Sequence, residues 1–326
     1  MKRGGNEQLT QERTADKPGA APPAPSATPI RPKTMARRLR ELLSGEDIVI
    51  APGAFNAFSA RLVERSGFDC LYLTGGGTGL GLGLPDVGLM TMTEMVNNAG
   101  VVADAVGVPV ISDCDTGYGN VVNVWRSVQA FEKAGVAGVH IEDQTFPKKC
   151  GHLFGKQLVS QDEMVQKIRA ACDARKDPDF VIIARCDALL VNGIEDAIRR
   201  SQAYAAAGAD VLFIESPRTL DQIELIGRSF DVPLLFNMAS SGKTPTLSAE
   251  QLHDLGYKLM ILPIFTLLAA MKAIGEVLTD IKATGSIETI RERCSTFEDF
   301  MDLAGLPFVQ ELERRYQIPG ESLTSI

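Results

Sequence analysis

Within eleven residues, FPKKCGHLFGK from Phe146 to Lys156, the chain gathers a thiol (Cys150), an imidazole (His152) and three ammonium groups, directly after the adjacent acids Glu142 and Asp143. Such a stretch can bind a metal, exchange electrons, attack an electrophile or move a proton. Structural zinc needs about four nitrogen or sulfur ligands. The chain has only His140, His152 and His253, and its six cysteines are scattered with no CxxC pair, which leaves zinc unsupported. Redox chemistry lacks a resolving thiol at a usable spacing. Acid–base or nucleophilic work by Cys150 remains, against the plainer alternative of an idle loop cysteine. Lys148, Lys149 and His152 around it would favour the thiolate.

A second cluster is DCDTGYGN. Asp113 and Asp115 lie two apart at the end of a predicted strand, so both side chains are expected on one face. Paired carboxylates repel unless a cation separates them or one takes a proton. With Glu142 nearby, an oxygen-only set suits Mg²⁺, which keeps several waters, and Mn²⁺ could substitute. The alternative is a pair of acids capping the next helix.

Short apolar runs must position these groups. They are DIVIAPGAF (47–55), CLYLTG (70–75), PVISDCD (109–115), GVHIED (138–143), FVIIARCD (180–187), VLFIES (211–216), PLLFNM (233–238) and KLMILP (258–263). Helical stretches follow each, several ending in glycine as a helix C-terminus does; Ser160 with Glu163 fits a capping box. Strands alternating with helices predict a single (β/α)8 TIM barrel over 35–326. A doubly wound sheet is the rival, but the glycine-rich loop GGGTGLGLGLPDVG follows the second strand and lacks GxGxxG spacing. In such barrels the site lies at the strands' C-terminal ends, which here carry Thr74 and Gly75, Asp113 and Asp115, Glu142 and Asp143, Arg185 and Asp187, Glu215, and Asn237. Extra helical sequence after the eighth strand points to terminal helices exchanged between subunits, hence an oligomer.

Residues 1–34, rich in Pro and Ala, read as a disordered tail; acids at 7, 12 and 16 argue against a transit peptide. A net charge of −8 argues against nucleic acid and anionic membranes as partners. The run LMILPIFTLLAAM (259–271) is too short to span a bilayer. With no signal-peptide core at the N-terminus, a cytoplasmic protein acting on a small molecule is expected.

The motifs YLTGGG with GLPDVGL, DCDTGYGN, HIEDQTFPKKCGH, DPDFVIIARCDAL, AGADVLFIES and FNMASSGKTP together resemble the isocitrate lyase/phosphoenolpyruvate mutase superfamily, across nearly the whole chain after residue 35. The resemblance implies a barrel with a swapped C-terminal helix, a homotetramer, Mg²⁺, and 2-oxo or 2-hydroxy acid substrates. It implies that Thr74, Gly75 and Gly76 hold the substrate's α-carboxylate. Asp86, Asp113, Asp115 and Glu142 would hold Mg²⁺, some through water. Tyr72 would lie beside the substrate oxygen, Arg185, Glu215 and Asn237 would line the far wall, and Lys148 to His152, with Gly151, would form a mobile gate. Phosphonate enzymes of the superfamily usually carry Asn-Ser where this chain has Cys150-Gly151. The Cys-Gly-His form is similar to the carbon–carbon lyases acting on 2-methylisocitrate, isocitrate or 2,3-dimethylmalate, and to the oxaloacetate hydrolases. Retro-aldol cleavage leaves a carbanion that needs a proton, and a mobile thiol can supply it. The cations around Cys150 nevertheless favour thiolate, and a bound dianion would have to raise its pKa again. Ala239 and Ser240 replace a hydroxyl residue and Glu of many relatives, Cys186 a Thr, and Cys114 a small residue; the first change sets a 2-alkylmalate beside methylisocitrate as a candidate. A non-catalytic dicarboxylate binder is the rival from another class.

Overall fold

The computed structural model describes residues 34–316; the expected tail lies, but for Thr34, outside them. Each apolar run yields a strand within its bounds: β1 (Val49–Ala54), β2 (Leu71–Leu73), β3 (Val110–Asp113), β4 (Gly138–Glu142), β5 (Val181–Cys186), β6 (Val211–Ile214), β7 (Leu234–Asn237) and β8 (Leu259–Leu262). All pair in parallel with their sequence neighbours, and β1 pairs with β8 to close the barrel. Helices alternate with the strands, giving the expected (β/α)8 architecture.

The period-2 alternation of a strand sorts its side chains between two cores. Val181, Ile183, Val211, Phe213, Leu235, Leu259 and Ile261 fill the barrel interior. Their neighbours Ile182, Ala184, Leu212, Leu234 and Met260 face the surrounding helices. The helix Met35–Ser44 inserts Leu39 and Leu43 into the interior cluster. Thr34 caps it by accepting from the Arg37 N–H, and Arg40 ties it to β5 and β6 through the Asp179 carbonyl and the Asp210 carboxylate.

Two local expectations change. The glycine-rich segment after β2 is a helix, Gly75–Gly81, capped by Thr74 and braced by a Thr78 Oγ1–Thr74 carbonyl bond. Glycine is required there because a Cβ on Gly75 would lie 2.4 Å from Asp113 Oδ2. At the helix Gln161–Ala174, Ser160 accepts from the Glu163 N–H, but no return bond completes a capping box. The Glu163 carboxylate instead lies 3.7 Å from Lys167. Thr91 and Glu94 do form the reciprocal box.

The last helices, Phe265–Thr284, Phe297–Ala304 and Leu306–Arg315, contain no buried residue. Met271, Ile274, Leu278, Phe297, Phe300 and Phe308 are each more than half exposed. Arg61 donates to the Leu303 carbonyl and holds the second of these helices against Ala57–Arg65 of the same chain. Among the described residues, no helix is long and apolar enough to cross a membrane.

Candidate active site

The C-terminal ends of the strands surround a cavity of about 300 Å³. Of the residues singled out in the sequence, Tyr72, Thr74, Gly76, Asp86, Asp113, Lys148, Cys150, Gly151, His152, Arg185, Glu215 and Asn237 line it. Gly75 and Asp115 line a smaller adjoining cleft with Asp86 and Lys148. Glu142 is fully buried behind Arg185.

The strand reading of Asp113 and Asp115 is corrected. β3 ends at Asp113, and Asp115 sits beyond it with a left-handed φ of 44°, which Asp tolerates better than most residues. Its N–H donates to Asp113 Oδ1 at 2.9 Å, while its carboxylate turns to Lys148. Lys148 Nζ lies 2.5 Å from Asp86 Oδ1 and 2.9 Å from Asp115 Oδ1, bridging two acids. Among the described residues no three His, Cys, Asp or Glu side chains are arranged to hold a metal ion directly.

These contacts set the charges. Burial opposes ionisation of Asp113, but His140, Lys148, the Asp115 N–H and Arg185 bring its pKa down to about 2. Burial, with Asp113 and Asp86 nearby, lifts Asp115 to about 6 despite Lys148. Burial also raises Glu142 far above the ordinary range. Arg185 Nη1 is 3.1 Å from Glu142 Oε2, yet neither carboxylate oxygen receives a hydrogen bond. Arg185 is aimed elsewhere: Nε and Nη2 form a bidentate pair with Asp187, and the guanidinium lies over the Phe213 ring.

The loop after β4 closes one side. Its base is zipped by a Gln144–Leu158 bridge, and the Gln144 carboxamide both donates to and accepts from the Lys149 backbone. Buried Lys156 bonds the Gly151 carbonyl and Asp187, each at 2.7 Å. A Cβ on Gly151 would lie 2.6 Å from both Arg185 Nη2 and Glu215 Cγ, so only glycine lets the loop seat. His152 meets the loop after β7 through Ser241 Oγ (2.9 Å), and Lys243 donates to its carbonyl. Its Nε2 is 3.1 Å from Glu215 Oε1 but not aligned for a hydrogen bond.

The thiolate expected at Cys150 is not what this setting favours. Burial first, then Asp86, raises the thiol pKa, outweighing the His152 N–H and Arg185. Lys148, counted above as a cation for Cys150, is committed to Asp86 and Asp115. Burial and Asp86 favour the thiol over the thiolate at Cys150 without a bound dianion.

Two features were missed. One is His140, buried in the barrel and bonded to Tyr72. The other is an apolar arc of Phe213, Ile261, Ile264, Leu267, Leu268 and Met271. Its signal was present: 264, 267, 268 and 271 follow the i, i+3, i+4, i+7 spacing of one helix face.

A closed parallel barrel with acids, a guanidinium and a thiol at its C-terminal mouth defines a (β/α)8-barrel enzyme. Residues 39–282 match the phosphoenolpyruvate phosphomutase family. The chain is 46% identical over 282 residues to 2,3-dimethylmalate lyase of Eubacterium barkeri, covering 86% of this chain and 98% of that one. It is 45% identical to 2-methylisocitrate lyase of Aeropyrum pernix, covering 82% and 86%. Among solved structures it is similar to oxaloacetate acetylhydrolase bound to 3,3-difluorooxalacetate (TM-score 0.83, 37% identity, 87% and 97% covered). It is also similar to phosphonopyruvate hydrolase with oxalate and Mg²⁺ (TM-score 0.80, 32% identity, 87% and 99% covered). The chain belongs to the phosphoenolpyruvate phosphomutase family, within the isocitrate lyase/PEP mutase superfamily.

Proposed function

We propose that this chain is a divalent-cation-dependent carbon–carbon lyase. It cleaves a 2-hydroxy di- or tricarboxylate, a 2,3-dialkylmalate or 2-methylisocitrate, to pyruvate and a carboxylic acid. The observation that carries this reading is Cys150, a thiol whose pKa burial and Asp86 raise, held on a seated loop that lines the same cavity as Asp86 and Asp113. The two lyase relatives support the reaction class.

The acids fit a hard cation held partly through water: Glu142 keeps two buried oxygens with no hydrogen bond, and the donor set is all oxygen. Asp86, Asp113, Asp115 and Glu142 would hold it, and its charge would stabilise the negative charge growing on the substrate's 2-oxygen. Mg²⁺ is the ion of choice, as in the phosphonopyruvate hydrolase complex.

Thr74 and the backbone of Gly75 and Gly76 receive the α-carboxylate. Arg185, His152 and Asn237 take the distal carboxylate, with Glu215 fixing the Asn237 amide. As the C2–C3 bond breaks, its electron pair passes to C3, the 2-hydroxyl gives its proton to water and C2 becomes a carbonyl. The Cys150 thiol then protonates C3, and the thiolate left behind is reprotonated from that water. Tyr72, whose pKa burial and Asp113 raise far above the ordinary value, stays protonated beside the 2-oxygen. The bare apolar faces of the last three helices support assembly with further copies of the chain, as a homotetramer.

The test is a panel of 2,3-dimethylmalate, 2-ethyl-3-methylmalate, 2-methylisocitrate, isocitrate and oxaloacetate with Mg²⁺. Pyruvate from a dialkylmalate or methylisocitrate is expected. The likeness to oxaloacetate acetylhydrolase favours a second reading, hydrolysis of oxaloacetate. Oxalate from oxaloacetate, with no pyruvate from the others, would establish it in place of the first.

A further inference from the structure

His140 lies on β4 at the centre of the barrel with no exposed surface. Its ring is stacked on Tyr72 (centroids 5.6 Å apart, planes 18° apart) and meets the edge of Phe213 (5.8 Å, 86°). This sandwich fixes the ring plane and leaves Nε2 2.7 Å from the Tyr72 hydroxyl and 3.4 Å from Asp113 Oδ1. Nδ1 is buried with no hydrogen-bond partner.

The position of the ring proton decides what Tyr72 can do, because a hydroxyl has one proton to give. With the proton on Nδ1, an N–H would be buried without an acceptor, and the Nε2 lone pair would face a carboxylate oxygen. With the proton on Nε2, that N–H has the Tyr72 oxygen as its main acceptor and Asp113 as a distant second. Only the Nδ1 lone pair is then unmatched, and an orphaned buried acceptor is tolerated better than an orphaned N–H. Both comparisons select the same tautomer.

We infer that His140 is a positioning residue: it carries its ring proton on Nε2, donates it to the Tyr72 oxygen, and so turns the Tyr72 O–H into the cavity as a fixed donor toward a substrate oxygen. A hydroxyl free to rotate would spend its proton on His140 and offer the substrate only lone pairs. Oriented in advance, the donor meets the 2-oxygen as charge grows on it, without reorganisation during the reaction. In its kinetic consequences the inference rests on the lyase reading; the tautomer does not.

The first experiment needs no substrate. In the full chain labelled with ¹⁵N-histidine, three rings give signals, and the one lost in His140→Gln is His140. Long-range ¹H–¹⁵N spectra are expected to show Nε2 protonated and Nδ1 bare. A bare Nε2 with a protonated Nδ1 overturns the inference. The second experiment compares pyruvate release by Tyr72→Phe, His140→Gln, His140→Leu and Tyr72→Phe/His140→Leu. Tyr72→Phe and His140→Leu should each lower kcat on the order of 10- to 100-fold with little change in KM, the scale of one misdirected donor in a charged transition state. The double variant should be no worse than Tyr72→Phe alone. His140→Gln keeps an N–H near the Nε2 position and should recover most of the rate. Additive losses, or a Gln variant as slow as the Leu variant while equally folded, would overturn it. A silent wild-type chain with the expected tautomer would count against the lyase reading only.

Discussion

The cavity has two unlike arcs, and their difference separates reaction from selection. From β2 to β7 nearly every polar group is tied to another: Lys148 to two acids, Arg185 to Asp187, Lys156 to the Gly151 carbonyl, Asn237 to Glu215. From β8 into the helix Phe265–Thr284 the lining is aliphatic, with Ile261, Ile264, Leu267, Leu268 and Met271 presenting no charge. Networks of buried charge keep their geometry because each member loses much if its partner moves. An aliphatic surface discriminates only by size, a few kcal/mol at most. On the proposed reading the polar arc would set which bond breaks. The apolar arc would, on that reading, select the alkyl group, and its side chains offer no cation for a third carboxylate.

Breaking the polar arc should have the largest effects. Cys150→Ala is expected to lower turnover about 10³-fold, within the range for a lost general acid, while substrate binding measured by calorimetry is retained. Removing the cation in Arg185→Gln takes the guanidinium from buried Glu142 and Glu215 and leaves Asp187 with Lys156 alone, and should cost about 3–5 kcal/mol of stability in denaturant titration. The same variant tests the acid limb. Burial works against the Asp187 and Glu215 carboxylates, and Arg185 is the chief group that overcomes it, holding both below their ordinary values of 3.8 and 4.5. Groups depressed in this way stabilise the fold above about pH 5, and that contribution is lost progressively as pH falls below about 4 through their depressed folded values. In Arg185→Gln that depression is relieved, so stability should fall less as the pH drops from about 5 than it does in the parent chain.

Gly151→Ala leaves all polar groups in place but pushes the loop off Arg185 and Glu215. A displacement of that size should reduce turnover about 10²-fold without unfolding the chain. The smallest effect belongs to the apolar arc. Leu267→Ala should raise KM for a dialkylmalate about tenfold, the worth of one to two buried methylenes, with kcat nearly unchanged. An equal loss in kcat would erase the division between the arcs.

Much of this was legible in the sequence, for identifiable reasons. Strand alternation with glycine-ended helices gave the barrel, and placing a site at strand ends made Arg185, Glu215 and Asn237 readable without a structure. What escaped depended on contacts between distant segments. The left-handed bend at Asp115 exists because its N–H finds Asp113 Oδ1. The glycine helix depends on its packing against Asp113. The direction of Lys148 is set by Asp86, 62 residues away. His140 entered only the count of histidines, because its partner, Tyr72, comes from another strand. The apolar arc was the exception, visible as helical spacing but weighed only as a membrane segment.

The central claim is that the loop after β4 presents Cys150 as an uncharged acid. The direct measurement is the pH dependence of alkylation at Cys150, followed peptide by peptide so that the other cysteines do not interfere. The rate should still be climbing above the ordinary thiol value of 9.0. A rate that levels off at or below neutral pH would mean a resident thiolate, and the proton-donor role would fall.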